Sequence, residues 1–287
     1  IRLVRNAAAT SAAQVTAETE QWRSVLVAPY RQGGRGMIAI DVTDPYNPFV
    51  RWEIDHERRC YLTSGSTYTC KTATEGDEND YRNLGFTHGK PVVGTVFIDN
   101  PDGIGKIEVA AAFYGCGNAE GLTGADVGKC FMVTRLEDGR KIKEFSNAKA
   151  NIVDNNTAAD NTMNALDYTV VGDPAAYNTF IGNFVTRLFV GDSGGQLWRI
   201  DCSAADPGDW SMQFFFDVYK DLADEGVIDD GSIDCKYRTP LKSAPSMSPL
   251  PQRGTLALSF GSGDLDYATD LSQVAVMYSL RENVVLN

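Results

Sequence analysis

The sequence reads as an all-β chain of the β-propeller class, on three observations. In Arg187-Leu-Phe-Val-Gly-Asp-Ser-Gly-Gly-Gln-Leu-Trp-Arg-Ile-Asp201, two short apolar runs meet at a Gly-Gly turn. The same design returns elsewhere with different loops, and a hairpin repeated at long intervals is the mark of a propeller blade. Consecutive runs are joined by short, Gly-rich connections, which makes antiparallel meanders of them.

The elements follow in order. Residues 1–21 open with Ile1-Arg-Leu-Val and then turn Ala/Thr/Ser/Gln-rich, which predicts a linker or a short strand completing another blade. From Trp22 the pattern is regular. Ser24-Val-Leu-Val-Ala-Pro-Tyr, a Gln32-Gly-Gly-Arg-Gly turn, Met37-Ile-Ala-Ile-Asp-Val and Phe49-Val-Arg-Trp-Glu-Ile form a three-strand meander. A second unit comprises 90–98, 106–114, 130–136 and 141–145, with Asp138-Gly139 as the hairpin turn between the last two. The third comprises 165–171, 187–190, 196–201 and 210–219, and the fourth 243–249, 255–260 and 274–280.

The strands after the central turn begin near Gly36, Gly128, Gly195 and Gln273, so the interval is irregular and longer than the ~40–45 residues of a WD-type blade. The extra length falls in residues 53–85, 115–129, 146–163, 220–242 and 262–272, which are polar, Gly-rich or acidic loops. Recognition usually resides in loops carried on such a scaffold. About three to four blades result, whereas rings usually carry four to eight. Residues 22–287 therefore read as a partial propeller, with further blades expected from the same precursor or from a complementing chain, since open sheet edges invite aggregation.

Charge and composition exclude several classes. The 287 residues are 43% hydrophobic, enough for a sizeable core, and the net charge of −12 leaves no basic face for nucleic acid or anionic membrane. No apolar run approaches the ~20 residues of a membrane span. Ile1 as first residue suggests a processed product.

Six cysteines, Cys60, Cys70, Cys116, Cys130, Cys202 and Cys235, come without a CxxC and with only two histidines, which argues against zinc and haem. The six cysteines allow on the order of fifteen disulfide connectivities. Pairing between sequence neighbours is the economical expectation, with Cys60 and Cys70 bracketing one polar loop and Cys116 and Cys130 another. Disulfides imply an oxidising compartment: periplasm, cell surface or medium.

The candidate chemistry is sparse. Asp99-Asn-Pro-Asp-Gly-Ile-Gly lacks the alternating oxygens and the closing Glu of a calcium loop and reads as a tight acidic turn. Asp264, Asp266 and Asp270 in one loop, and Glu75, Asp77, Glu78 and Asp80 in another, are weak cation candidates that read first as solvated loops. His56 and His88 accompany neither a G-x-S-x-G elbow nor an H-E-x-x-H helix, so no catalytic set is expected. Ala39-Ile-Asp41 with Trp52, and Leu197-Trp-Arg-Ile-Asp201 with Trp210, loosely resemble quinoprotein docking motifs that tie neighbouring blades. A degenerate quinoprotein-type dehydrogenase is thus one alternative. A secreted carbohydrate-binding module is the other, with Trp198, Trp210 and Tyr114 as sugar-stacking candidates.

Several motifs taken together resemble a known family. Trp22-Arg-Ser-Val-Leu-Val, Gly33-Gly-Arg-Gly-Met-Ile-Ala-Ile-Asp-Val-Thr-Asp-Pro, Trp52-Glu, Leu84-Gly-Phe-Thr-His-Gly-Lys-Pro, Val190-Gly-Asp-Ser-Gly-Gly-Gln-Leu-Trp-Arg-Ile-Asp, Ser243-Ala-Pro-Ser-Met and Phe260-Gly-Ser-Gly-Asp are similar to the C-terminal propeller of the PilC/PilY family of type IV pilus tip-associated adhesins. The resemblance implies a modified seven-bladed, quinoprotein-like propeller that is secreted through the periplasm and found on the cell surface or at the pilus tip. It implies work in pilus assembly, adhesion or surface sensing, with minor pilins or the tip complex as partners. It makes Trp22, Asp41, Gly191, Asp192, Gly195, Trp198 and Asp201 blade-structural residues. Many members carry a calcium loop before the Gly-Asp-x-x-Gly-x-Leu-Trp strand. Here that stretch, Tyr177-Asn-Thr-Phe-Ile-Gly-Asn-Phe-Val-Thr, has no carboxylate, so no cofactor is expected at that position.

Overall fold

A computed structural model describes residues 22–146, 166–178, 184–220, 238–251, 255–263 and 275–282, together with the backbone of 4–6 and 152–153. Strands dominate these residues, in four sheets taken in chain order. The first is a five-strand antiparallel meander of β2 (Val25–Pro29), β3 (Gly36–Asp41), β4 (Phe49–Asp55), β5 (Arg58–Ser64) and β6 (Thr67–Thr72). The second joins β7 (Val92–Asp99), β8 (Lys106–Gly115), β9 (Cys130–Arg135) and β10 (Lys141–Ser146), and β1 (Val4–Asn6) pairs with β8 through Val4 opposite Val109. The third runs β12 (Ala175–Asn178), β13 (Val185–Gly191), β14 (Gln196–Asp201) and β15 (Ser211–Asp217), with β11 (Ile152–Val153) parallel to β15. The fourth contains β16 (Ser246–Pro249), β17 (Leu256–Gly261) and β18 (Met277–Arg281).

Three expectations are corrected. The stretch 146–163, read as a loop, contains β11. The stretch 53–85 is no plain loop, because β5 and β6 extend the first sheet as a hairpin cross-linked by Cys60–Cys70. In the third sheet the strand paired to the outer side of β13 is β12, whereas 166–171 is irregular: Leu166 and Val170 are buried in the core, and the Val170 backbone bonds Gly117 and Gly128 instead of a ladder.

The period of two along each strand explains how the sheets stack. On β8, Val109, Ala111 and Phe113 face the third sheet, in a core with Leu188, Val190, Trp198 and Ile200. The alternate residues Ala110, Ala112 and Tyr114 face the first sheet, in a core with Met37, Ala39, Trp52 and Ile54. On the third sheet, Phe189 and Leu197 turn away from Leu188 and Trp198 to meet Leu256, Leu258 and Phe260 of the fourth. Each sheet thus shares a core with its chain neighbours. The inner two are apolar on both faces, and their strands read as continuous runs rather than alternating ones.

Polar ties lock these interfaces. Trp52 Nε1 on β4 donates to the Leu136 carbonyl beyond β9 at 2.8 Å. Gly139, at φ 73°, closes the β9–β10 turn directly on the Trp52 indole, where an added Cβ would meet ring atoms at 2.9 Å. Between the third and fourth sheets, Glu282 accepts from Arg187 Nη1 at 2.7 Å and from Arg199 Nε at 2.8 Å.

Candidate interaction surfaces

The β13–β14 hairpin is scaffold. Asp192 is fully buried, and its Oδ1 accepts from the backbone N–H groups of Gly194 and Gln196, both at 2.9 Å, while its Oδ2 accepts from Trp198 Nε1 at 2.8 Å. Burial pushes the Asp192 carboxyl up to about 7, against the downward pull of those three donors. Gly195 adopts φ 80° against the Tyr219 ring, where a side chain would collide. Gly191 packs its backbone on Leu241. Asp201 sits at the far end of the strand and caps Ser203 through its N–H and hydroxyl.

Other blade residues divide. Asp41 is buried and paired with Arg51 at 3.1 Å, with its second oxygen accepting from the Thr43 N–H. Trp22 is 55% exposed, and it is Trp52 that ties the first sheet to the second. Trp198, Trp210 and Tyr114 are buried, which removes all three as sugar-stacking platforms.

The acidic segment 75–80 is an ion-pair network. Glu75 meets Arg82, Glu78 meets Arg59 and Arg140, Asp77 caps Asn79, and Asp80 binds Arg82 and the Gly76 N–H. Sequence reading missed Arg59: it lies in a charged run, yet it is buried and donates to Asn79 Oδ1 at 2.7 Å and the Asp138 carbonyl at 3.0 Å. Its position one residue before the Cys60 bridge was the only signal. The Asp99–Gly105 segment is a tight turn, with Asn100 accepting from Asp102 and Gly103 and donating to Gly105. Asp102 is spent on Arg135 and Arg140. Among the described residues no three His, Cys, Asp or Glu side chains gather in a metal-binding arrangement. Asp264, Asp266 and Asp270 lie outside the described residues. His56 is a surface group beside Glu57, and His88 is half-buried ahead of β7.

Two disulfides close as expected, Cys60–Cys70 and Cys116–Cys130. Cys202 departs from the expectation of sequential pairing: it is a free, buried thiol whose pKa burial drives upward. Cys235 lies outside the described residues.

The two terminal faces differ in chemistry. On the first sheet, the face turned away from the core carries Leu26, 53% exposed, directly opposite Ile40, which in turn faces Val50. Tyr68, 44% exposed, continues that face opposite Leu62. The corresponding face of the fourth sheet carries Ser246, Ser248, Ser259 and Ser279, with Met277 exposed at its end. Where the second and third sheets meet, a cavity of about 290 Å³ has an Ile98, Val109 and Ile142 floor beneath Arg135 and Arg140. Both guanidinium groups are already held by carboxylates, so the cavity offers no free cation to an anionic ligand.

Stacked, largely antiparallel sheets, one of them organised by the buried Asp192–Trp198 hairpin, define an all-β protein built from consecutive meanders. No family model matches the chain. Among curated proteins, it is 26% identical over 253 residues to the type IV pilus biogenesis factor PilY1 homolog of Xylella fastidiosa (strain Temecula1 / ATCC 700964), covering 87% of this chain and 14% of that protein. Among solved structures, it matches the crystal structure of the Pseudomonas aeruginosa PilY1 C-terminal domain with a TM-score of 0.58 at 17% identity, over 91% of this chain and 45% of that one. The sequence similarity and the fold similarity point the same way, to PilY1 and its C-terminal domain. It spans 14% of the length of the curated relative.

Proposed function

We propose that this chain is the propeller-forming C-terminal part of a type IV pilus biogenesis factor, acting outside the cytoplasm at the pilus tip in assembly, adhesion or surface sensing. The observation that carries the reading is the relationship to a pilus biogenesis factor across nearly the whole chain, joined to the matching fold. Two disulfides and a strongly acidic composition fit a secreted setting. Among the described residues no helix is long and apolar enough to cross a membrane. In this reading the sheets are successive blades, and the apolar outer face of the first sheet receives a blade from the same precursor or from a complementing chain. The long loops meet minor pilins, and the domain has no catalytic role and no cofactor of its own.

The test is deletion of this segment from the full-length protein in a piliated host, with surface pili counted and minor pilins sought by co-purification. Loss of surface pili at normal pilin levels, with pilin capture by the intact protein, is expected. Normal piliation together with no pilin capture overturns the proposal, and a specific hit in a glycan screen under those conditions transfers it to carbohydrate binding.

A further inference from the structure

Beneath the ion-pair network, one carboxylate holds an amine and an amide at once. Glu144 on β10 accepts from Lys141 Nζ through Oε2 at 2.8 Å and from Asn83 Nδ2 through Oε1, also at 2.8 Å. The Glu144 side chain is 1% exposed and that of Lys141 8%. Lys141 and Glu144 lie three residues apart on one strand, whereas Asn83 comes from the connection between β6 and β7. That connection is fixed here: the Asn83 carbonyl accepts from the Gly128 N–H at 2.8 Å, and the Asp80 carbonyl accepts from Lys141 Nζ at 2.6 Å. Tyr114, Leu84 and Met132 belong to the core alongside, and the Tyr114 phenol feels the Glu144 charge.

We propose that Lys141, Glu144 and Asn83 are a self-acting cross-linking site, at which the chain forms an intramolecular isopeptide bond between Lys141 and Asn83. A lysine amine becomes a nucleophile when a neighbouring base removes its proton in a site shielded from water. Glu144 Oε2 is placed to take that proton. The freed Nζ attacks the Asn83 side-chain carbonyl carbon and forms the new C–N bond. Glu144 then carries a proton to the departing nitrogen through Oε1, which already touches Nδ2. The old C–N bond breaks and one ammonia leaves, taking up the remaining proton as ammonium. No oxidant, metal or external acyl donor is required, because the amide being made replaces the one being broken.

Asp80 is the second carboxyl near the amine, with Oδ2 at 4.0 Å, but its oxygens are held by the Gly76 N–H and by Arg82. Asn83 is taken as the acyl partner because the carboxylate that holds the amine also holds its amide, whose nitrogen can leave as ammonia. The bond would staple the 73–91 connection to the second sheet, beside Cys116–Cys130, and would persist under reducing conditions.

The test is the mass of the full chain, reduced and denatured, followed by peptide mapping. The expected mass is one ammonia below that of the sequence, with a single branched peptide containing both Asn83 and Lys141. Glu144→Gln and Lys141→Arg should each restore the full mass. Asparagine cyclisation also loses ammonia, but it leaves Lys141 in its own linear peptide. Full mass in the wild-type chain, or linear peptides for both residues, overturns the proposal even if the variants fail to fold, because the wild-type map decides alone.

Discussion

Trp198 Nε1 reaches back across the Gly194-Gly195 turn to Asp192 Oδ2 at 2.8 Å, so one carboxylate organises the hairpin that also organises the third sheet. Replacing Asp192 with Ala leaves the indole and two backbone N–H groups buried without their acceptor. Each orphaned donor costs about 1–3 kcal/mol, so a large fall in thermal midpoint is expected in calorimetry, with the protein intact in mass and soluble below it.

The same carboxylate sets a pH slope. Its folded pKa, raised by burial to about 7, lies above its ordinary value, so between those two values the folded state binds more protons than the unfolded one. This group's contribution to stability therefore falls as pH rises from about 4 to about 7 and is flat above. In Asp192→Asn the slope over that window should become more positive than in the parent, measured by urea unfolding at a series of pH values. An unchanged slope would sink the assignment.

Asp138 has the opposite sign. Burial alone would raise its pKa, but the hydrogen bonds and charge of Arg135 outweigh burial and hold it below the usual range. Its contribution is present above the unfolded carboxylate value and is lost as pH falls through the lower, folded one. Asp138→Asn should destabilise the chain by roughly 2–4 kcal/mol at neutral pH, since it strips a buried guanidinium of its shortest and most buried ion pair. The deficit should shrink on acidification.

Glu282 joins two arginines of the third sheet to the end of the fourth. Glu282→Gln should cost about 2–3 kcal/mol, as expected for hydrogen bonds to charged groups lost from a buried site. Hydrogen exchange should show the loss first in β17 and β18, ahead of any change in β8 or β9.

Cys202 should resist alkylation in the folded chain and label only on unfolding, because its thiol is buried and its pKa raised. Peptide mapping after native and denaturing iodoacetamide treatment reads this directly. Rapid native labelling at Cys202 would contradict the buried placement.

The fold was legible where side chains obey a period. The β13–β14 hairpin announced itself through alternating apolar residues on either side of a Gly-Gly turn, and the β9–β10 hairpin through Asp138-Gly139. The β5–β6 hairpin was illegible because its strands are Thr-, Ser- and Arg-rich, with a disulfide and a buried arginine where an alternating apolar pattern would have signalled a strand. Residues 166–171 misled in the other direction: an apolar run was read as a strand, yet it fills the core without joining a ladder. Aromatic residues placed among potential binding groups, Trp198, Trp210 and Tyr114, proved to be core, since sequence shows a ring's identity but not the sheet packed over it. The Lys141–Glu144–Asn83 cluster had no sequence signal, because it depends on a connection folding back across more than fifty residues.

The alternation along β8, one set of side chains in each of two cores, makes the molecule a row of nearest-neighbour couplings rather than one undivided interior. In such an array stability is a sum over adjacent pairs, and order propagates outward from the most doubly clad members. The second and third sheets are then the seed from which the terminal ones crystallise. A load applied along the row should peel the chain sheet by sheet, giving a sequence of small yields in a force trace instead of one rupture.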